Sequence, residues 1–148
     1  ESIDLMPTLL DVIGATVPRS CDGQSLRPFL IGTDPDLWRT EVHWEFDFRG
    51  DYENSINRSD KLGLSIDQCS LAVIRDQKYK YVHFNSFPPL LFDLSKDPHQ
   101  FMNISNDPSY QHIVSKYSQK LLSWHMDYPN RSLSYFQATA EGTKERRD

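Results

Sequence analysis

The chain is poor in cysteine, poor in glycine and short of positive charge. Its 148 residues include two cysteines and six glycines, and 16 Lys+Arg stand against 21 Asp+Glu for a formal charge of −5. Each shortage excludes something. Cys21 and Cys69 lack the paired spacing of a zinc site. A disulfide between them is open on spacing alone, but two thiols in a mid-sized domain read better as free and reduced. The six scattered glycines form no phosphate-cradling loop. The acidic balance repels phosphate backbones and anionic surfaces, and no Lys/Arg stripe argues for nucleic acid. No apolar run approaches the roughly 20 residues that cross a bilayer. No Gly-x-Ser-x-Gly elbow is present, and no local signature pairs a cysteine with one of the five histidines. Three Asn-x-Ser triplets, at Asn57, Asn103 and Asn130, are short enough to arise by chance. Neither nucleic acid nor membrane is expected as a partner, and a cytoplasmic location is expected.

What is present is an ordinary apolar fraction, 38%, with a generous aromatic set of 8 Phe, 7 Tyr and 3 Trp. A chain of this length buries roughly 70% of its unfolded surface around a core. Leu5, Met6, Leu9, Leu10, Val12 and Ile13 recur at helical spacing. Asp4 is placed to cap that helix, Pro7 falls in its first turn and Gly14 ends it. Ser25 caps a second, short helix that Gly32 ends. Residues 41–48 alternate strictly, so Val42, Trp44, Phe46 and Phe48 are predicted to face the core. Residues 50–68 are polar and unpatterned and read as a long loop. Two β-rich runs flank Asp76-Gln77-Lys78 as a hairpin, and Leu90 to Leu94 gives a further strand. Asp107 and Pro108 open a helix predicted over 108–127, with Ile113, Tyr117, Leu121 and Trp124 as its buried stripe and Pro129 as its end. Residues 130–148 end in EGTKERRD, which buries little and reads as loose. The sum is an α+β fold: an antiparallel sheet of about four strands packed on a long C-terminal helix.

Two rows of residues carry possible chemistry. His43, Glu45 and Asp47 share one strand face, about 7 Å apart per step. They are either metal ligands, the wall of a cleft, or the solvated face of a half-buried strand; the last is the plainer account, since Glu41 and Arg49 extend a mixed-charge row. Tyr79, Tyr81 and His83 share a face of the hairpin. They either stack on a substrate or a neighbouring domain, or cover a core. His99, His112 and His125 read as isolated surface residues.

Three stretches, in order, carry a resemblance: SIDLMPTLLDVIG at 2–14, CDGQSLRPFL at 21–30 and LLFDLSKDPHQFMNIS at 90–105. They resemble the C-terminal end of the sulfatase and phosphonate monoester hydrolase branch of the alkaline phosphatase superfamily. Gln100 departs from the usual acidic residue of the third motif. WRTEVHWEFDFR, CSLAVIRDQKYKYVHF, YSQKLLSWHM and the NRSLSYF tail resemble the phosphonate monoester hydrolase and phosphodiesterase group in particular.

The resemblance implies a division into 1–32, the terminal helices of a truncated catalytic α/β domain; 33–129, the sulfatase-type C-terminal subdomain; and 130–148, a tail. It implies a parent that hydrolyses phosphonate monoesters, phosphodiesters or sulfate esters. That parent would use a formylglycine made from a Cys/Ser-x-Pro-x-Arg motif, and a divalent metal (Mn, Ca, Mg or Zn). None of those motif positions maps here, so the resemblance assigns this chain no catalytic, cofactor or metal residue. It implies the missing N-terminal catalytic domain as partner, a homo-oligomer, and a tail that reaches a neighbouring subunit. The chain opens at Glu1, straight into a helical pattern, and is expected to be an excised piece with any targeting signal outside it. From a different class, the same residues fit a self-standing protein-interaction module with a tyrosine-rich sheet surface. A Cys/Ser-x-Pro-x-Arg motif upstream in the native frame would separate the two.

Overall fold

The computed structural model describes residues 1–48, 62–128, 136–139 and 142–145. Most of the loop expected over 50–68 lies outside the described residues, as do Arg49, Asn57, Pro129 and Asn130. Four antiparallel strands form the main sheet in the order β1 (Val42–Asp47), β2 (Ser70–Arg75), β3 (Tyr79–Phe84) and β4 (Leu90–Asp93). The β2–β3 hairpin turns at Asp76, whose Oδ1 accepts the backbone N–H of Lys78 and of Tyr79 at 2.8 and 2.7 Å, an Asx-turn that explains the acidic residue there.

The long helix α3 (Gln111–Asp127) crosses the sheet after a 3-10 turn at Pro108–Tyr110. Asp107 caps that turn by accepting from the Ser109 amide at 2.9 Å. Ala72, Ile74, Tyr79, Tyr81 and Leu91 pack against Tyr117 and Leu121, with Ile113 and Trp124 at the margin. Upstream lie α1 (Leu5–Val12) and the one-turn α2 (Arg27–Leu30). Both end as the sequence suggests. Gly14 and Gly32 have φ of 73° and 77°, and Ala15 and Thr33 donate back to Leu10 and Pro28 at 2.8 Å, the pattern of a left-handed glycine stop.

Two expectations are corrected. First, β1 turns its other face to the helix. Its cross-strand partners set this: His43 sits opposite Ile74 and Glu45 opposite Ala72, both in the cluster packed under the helix, whereas Trp44 and Phe46 sit opposite Val73 and Leu71 on the sheet's second face. There Val73 is buried, but Trp44 and Phe46, on the edge strand, are 39% and 54% exposed, and Lys80 Nζ lies over the Trp44 ring. Alternation shows that two faces differ, but pairing register decides which one is covered. Second, part of the stretch read as loose is paired, its other residues lying outside those described. Phe136–Thr139 and Gly142–Glu145 pair as an antiparallel two-stranded sheet, β5 and β6.

Asp4 precedes α1 as expected, but its side chain makes no cap hydrogen bond to that helix. It is fully buried and accepts instead from the Gln24 amide at 2.9 Å and from the Arg39 guanidinium. Thr8 Oγ1 accepts from the Leu26 amide at 2.8 Å, and Ser25 donates to Asp11 at 2.6 Å. The first two family-like motifs are thus laced to each other. Gly23 passes so close that a methyl group there would run into the Ile3 carbonyl. The apolar side of α1 stays open: Leu5, Met6, Leu9 and Val12 are each more than half exposed.

Candidate functional site

A depression of about 900 Å³ lies where the chain start, the segment entering β1 and α3 converge. Its walls include Arg39, Glu41, His43, Lys116, Lys120 and Trp124. Four of its charged side chains already engage partners. Arg39 bonds Asp4 and, at 3.1 Å, Glu1 Oε2. Glu1 Oε1 accepts the His43 backbone amide at 2.8 Å, and Lys120 of α3 bonds Glu41. The His43 ring is stacked on Trp124, with centroids 4.8 Å apart and planes within 5°. Burial pushes the His43 imidazole below its ordinary pKa; Glu41 and Glu1 oppose that shift, and Lys120 and Arg39 add to it.

A second groove, about 540 Å³, runs along the opposite end of β1 and holds Glu45, Asp47, His83 and His125. The structure so divides the predicted row: His43 faces the first depression, and Glu45 and Asp47 the second. His125 Nε2 lies 3.3 Å from Glu45 Oε1, so His125 is not the isolated residue its sequence context suggests. Nothing in the sequence joins the two, because only the β1 register brings them together. Tyr79 and Tyr81 line neither space. They are 8% and 2% exposed beneath α3, where Tyr79 meets Tyr117 edge-on at 5.7 Å and the Tyr81 hydroxyl lies 3.1 Å from His83 Nδ1. They cover a core, and no substrate can stack on them there. Among the described residues no group of three or more His, Cys, Asp or Glu side chains is disposed to hold a metal. Both cysteines are free thiols, as expected.

The third motif also has a structural task. Asn103 Oδ1 accepts from the Leu91 and Ser105 amides, each at 3.0 Å. Asp97 Oδ2 accepts from the Met102 amide at 2.8 Å. Gln100 holds a left-handed backbone, φ 60°, and reaches Lys80 Nζ at 2.8 Å.

The family model described as N-sulphoglucosamine sulphohydrolase, C-terminal, matches residues 1–127. The chain belongs to this sulphohydrolase C-terminal family. The four-stranded sheet and its helix are accordingly the C-terminal subdomain of the sulfatase and alkaline phosphatase-like fold. Among the family's relatives, the multifunctional alkaline phosphatase superfamily protein PehA of Trinickia caryophylli is 49% identical over 96% of this chain and 27% of its own length. Arylsulfatase K of Bos taurus is 30% identical over 94% of this chain and 24% of its own. The phosphonate monoester hydrolase of Agrobacterium radiobacter superposes with a TM-score of 0.80 at 40% identity, covering 98% of this chain and 28% of that one. The corresponding enzyme of Silicibacter pomeroyi gives 0.82 at 34% identity, covering 99% and 29%. The chain spans about a quarter of the length of the curated relatives it matches.

Proposed function

We propose that this chain is the C-terminal part of a hydrolase of phosphonate monoesters, phosphodiesters or sulfate esters, and that its own role in that enzyme is structural. The observation that carries this reading is the 49% identity to PehA across 96% of the chain but only 27% of the relative. On this reading residues 1–32 close the catalytic α/β domain, residues 33–129 wall its cleft, and residues 130–148 extend to a neighbouring subunit. A divalent metal and a formylglycine nucleophile would supply the chemistry. No group of three or more His, Cys, Asp or Glu side chains is disposed to hold a metal among the described residues, and no Cys/Ser-x-Pro-x-Arg motif occurs in the chain; the proposal puts both on polypeptide outside this chain.

The open apolar side of α1 supports the reading, because exposed patches of more than a few hundred Å² normally find a partner. The partner proposed is the catalytic domain of the same enzyme, in a homo-oligomer. No helix among the described residues is long and apolar enough to cross a membrane; a cytoplasmic location is part of the proposal.

The test compares this chain with the longer native reading frame. Both are assayed on aryl phosphonate monoesters, phosphodiesters and sulfate esters, with and without Mn²⁺ or Ca²⁺. Turnover is expected from the longer frame only. Metal-dependent turnover that copurifies with this chain alone, or a longer frame without a Cys/Ser-x-Pro-x-Arg motif, would overturn the reading.

A further inference from the structure

His43 occupies an unusual position for a titratable group. Its side chain is 11% exposed, and its Nε2 is buried with no hydrogen-bond partner, whereas buried polar atoms in folded proteins nearly always have one. Glu41 Oε1 lies 3.8 Å away, beyond hydrogen-bonding distance. The other oxygen of that carboxylate is already bonded by Lys120 of α3. The charged groups facing the ring are Glu41 and Arg39 from the segment entering β1, Glu1 from the first turn, and Lys120 from α3. His125, beside Trp124 on α3, is engaged separately with Glu45.

We propose that His43 is a proton-operated catch between β1 and α3. In the neutral ring one nitrogen donates and the other accepts; protonation makes both donors. A buried cationic N–H then requires an acceptor. Glu41 stands two residues before His43, in the segment entering β1, and its Oε1 is the acceptor within reach. To reach hydrogen-bonding distance from 3.8 Å, that oxygen must close on the ring by about 1 Å, which pulls the carboxylate off the Lys120 ammonium held by its other oxygen. Acid thus weakens the ion pair that joins this segment to α3. The second half of α3 is released from β1, and the 900 Å³ depression between them widens. The cation over the Trp124 face offsets part of the change. The sign follows from burial. The folded imidazole titrates below its ordinary value, so the closed catch is fully stabilising above about pH 6.5 and is lost as pH falls from there through the folded pKa.

The chain has three tryptophans, so Trp38→Phe with Trp44→Phe leaves Trp124 as the sole indole. Its emission is followed from about pH 8 to about pH 5, the range in which histidine changes charge. The His43 ring is titrated by NMR in the unsubstituted chain, and amide exchange is read along α3. Emission should fall in one step centred below about pH 6.5, coincident with the His43 titration. On the acid side, exchange should speed at residues 120–127 and not in β2 or β3. His43→Gln should abolish the step and His125→Gln should keep it. Lys120→Gln should raise the midpoint, by freeing Glu41 and removing a cation, and Glu41→Gln should lower it. A step that survives His43→Gln, a midpoint indifferent to both Lys120→Gln and Glu41→Gln, or a His43 titration without faster exchange at 120–127 would each overturn the catch. The last reading needs no variant to fold.

Discussion

The sheet is joined to α3 by apolar packing, whereas the two N-terminal motifs are joined to each other by hydrogen bonds around a buried carboxylate. Beneath α3, Ile74, Tyr81 and Leu91 are no more than 2% exposed, and the contact is with Tyr117 and Leu121. Around α1 the buried positions are Asp4, Pro7 and Thr8, while the large apolar side chains point away. The first kind of joint is strong and tolerant of small shifts; the second is directional and fixes position. The difference teaches why α1 can keep an apolar face unspent. Its attachment to the rest of the chain does not use that face, which leaves it for the partner proposed above.

Removing apolar volume from the first joint should have the largest effect. Leu91→Ala is expected to lower stability by about 2–5 kcal/mol, measured by urea denaturation followed by far-UV circular dichroism. A loss of less than about 1 kcal/mol would mean that the sheet does not depend on this packing.

The second joint should fail locally and by less. Asp4→Asn removes hydrogen bonds to a charged group, worth about 1.5–3 kcal/mol. Amide exchange should rise in α1 and at residues 24–26 while β2 and β3 keep their protection. Equal loss across both regions would erase the distinction. Burial pushes the Asp4 carboxyl up, but the bonds it accepts, including those from Gln24 and Arg39, outweigh burial and hold it below the ordinary carboxylate value. The contribution of Asp4 is therefore present above about pH 3.9, the unfolded value, and is lost as pH falls through the folded pKa. In acid, α1 should loosen before the sheet does.

The smallest effect is expected at the sheet's second face. Trp44→Ala should change stability by no more than about 1.5 kcal/mol, against the 3–5 kcal/mol typical of a buried large aromatic, because the indole is 39% exposed. A full core-sized loss would show that this face is covered in solution.

The parts of the fold that depend on neighbouring residues were legible in the sequence. Asp76 makes its turn through its own next amides, Asp107 and Pro108 open the helix within one turn, and Gly14 and Gly32 stop helices by backbone handedness. The parts set by pairing across long separations were not. The face that β1 presents, the Lys120–Glu41 bond and the His125–Glu45 pair all depend on the β1–β2 register, which no local pattern encodes. The helix side of β1 was read as the solvated one because its residues are polar. That holds for Glu45 and Asp47, which are exposed, and fails at His43, which stacks on Trp124 of α3. The pair of motifs was visible as a resemblance, but that they are laced to each other through Asp4, Thr8 and Asp11 is a fact of the structure alone.

The crossing at Gly23 works by exclusion. Hydrogen bonds from residues 24, 25 and 26 to α1 would tolerate a slip of the chain if any residue could stand where Gly23 stands. Only a residue without a side chain clears the Ile3 carbonyl, so sliding the segment by one position would bring Asp22 or Gln24 into that carbonyl. The glycine acts as a gauge. It contributes little attraction of its own, yet it admits a single alignment of the second motif along the first, and so sets the starting coordinate from which Arg39 and then β1 are placed.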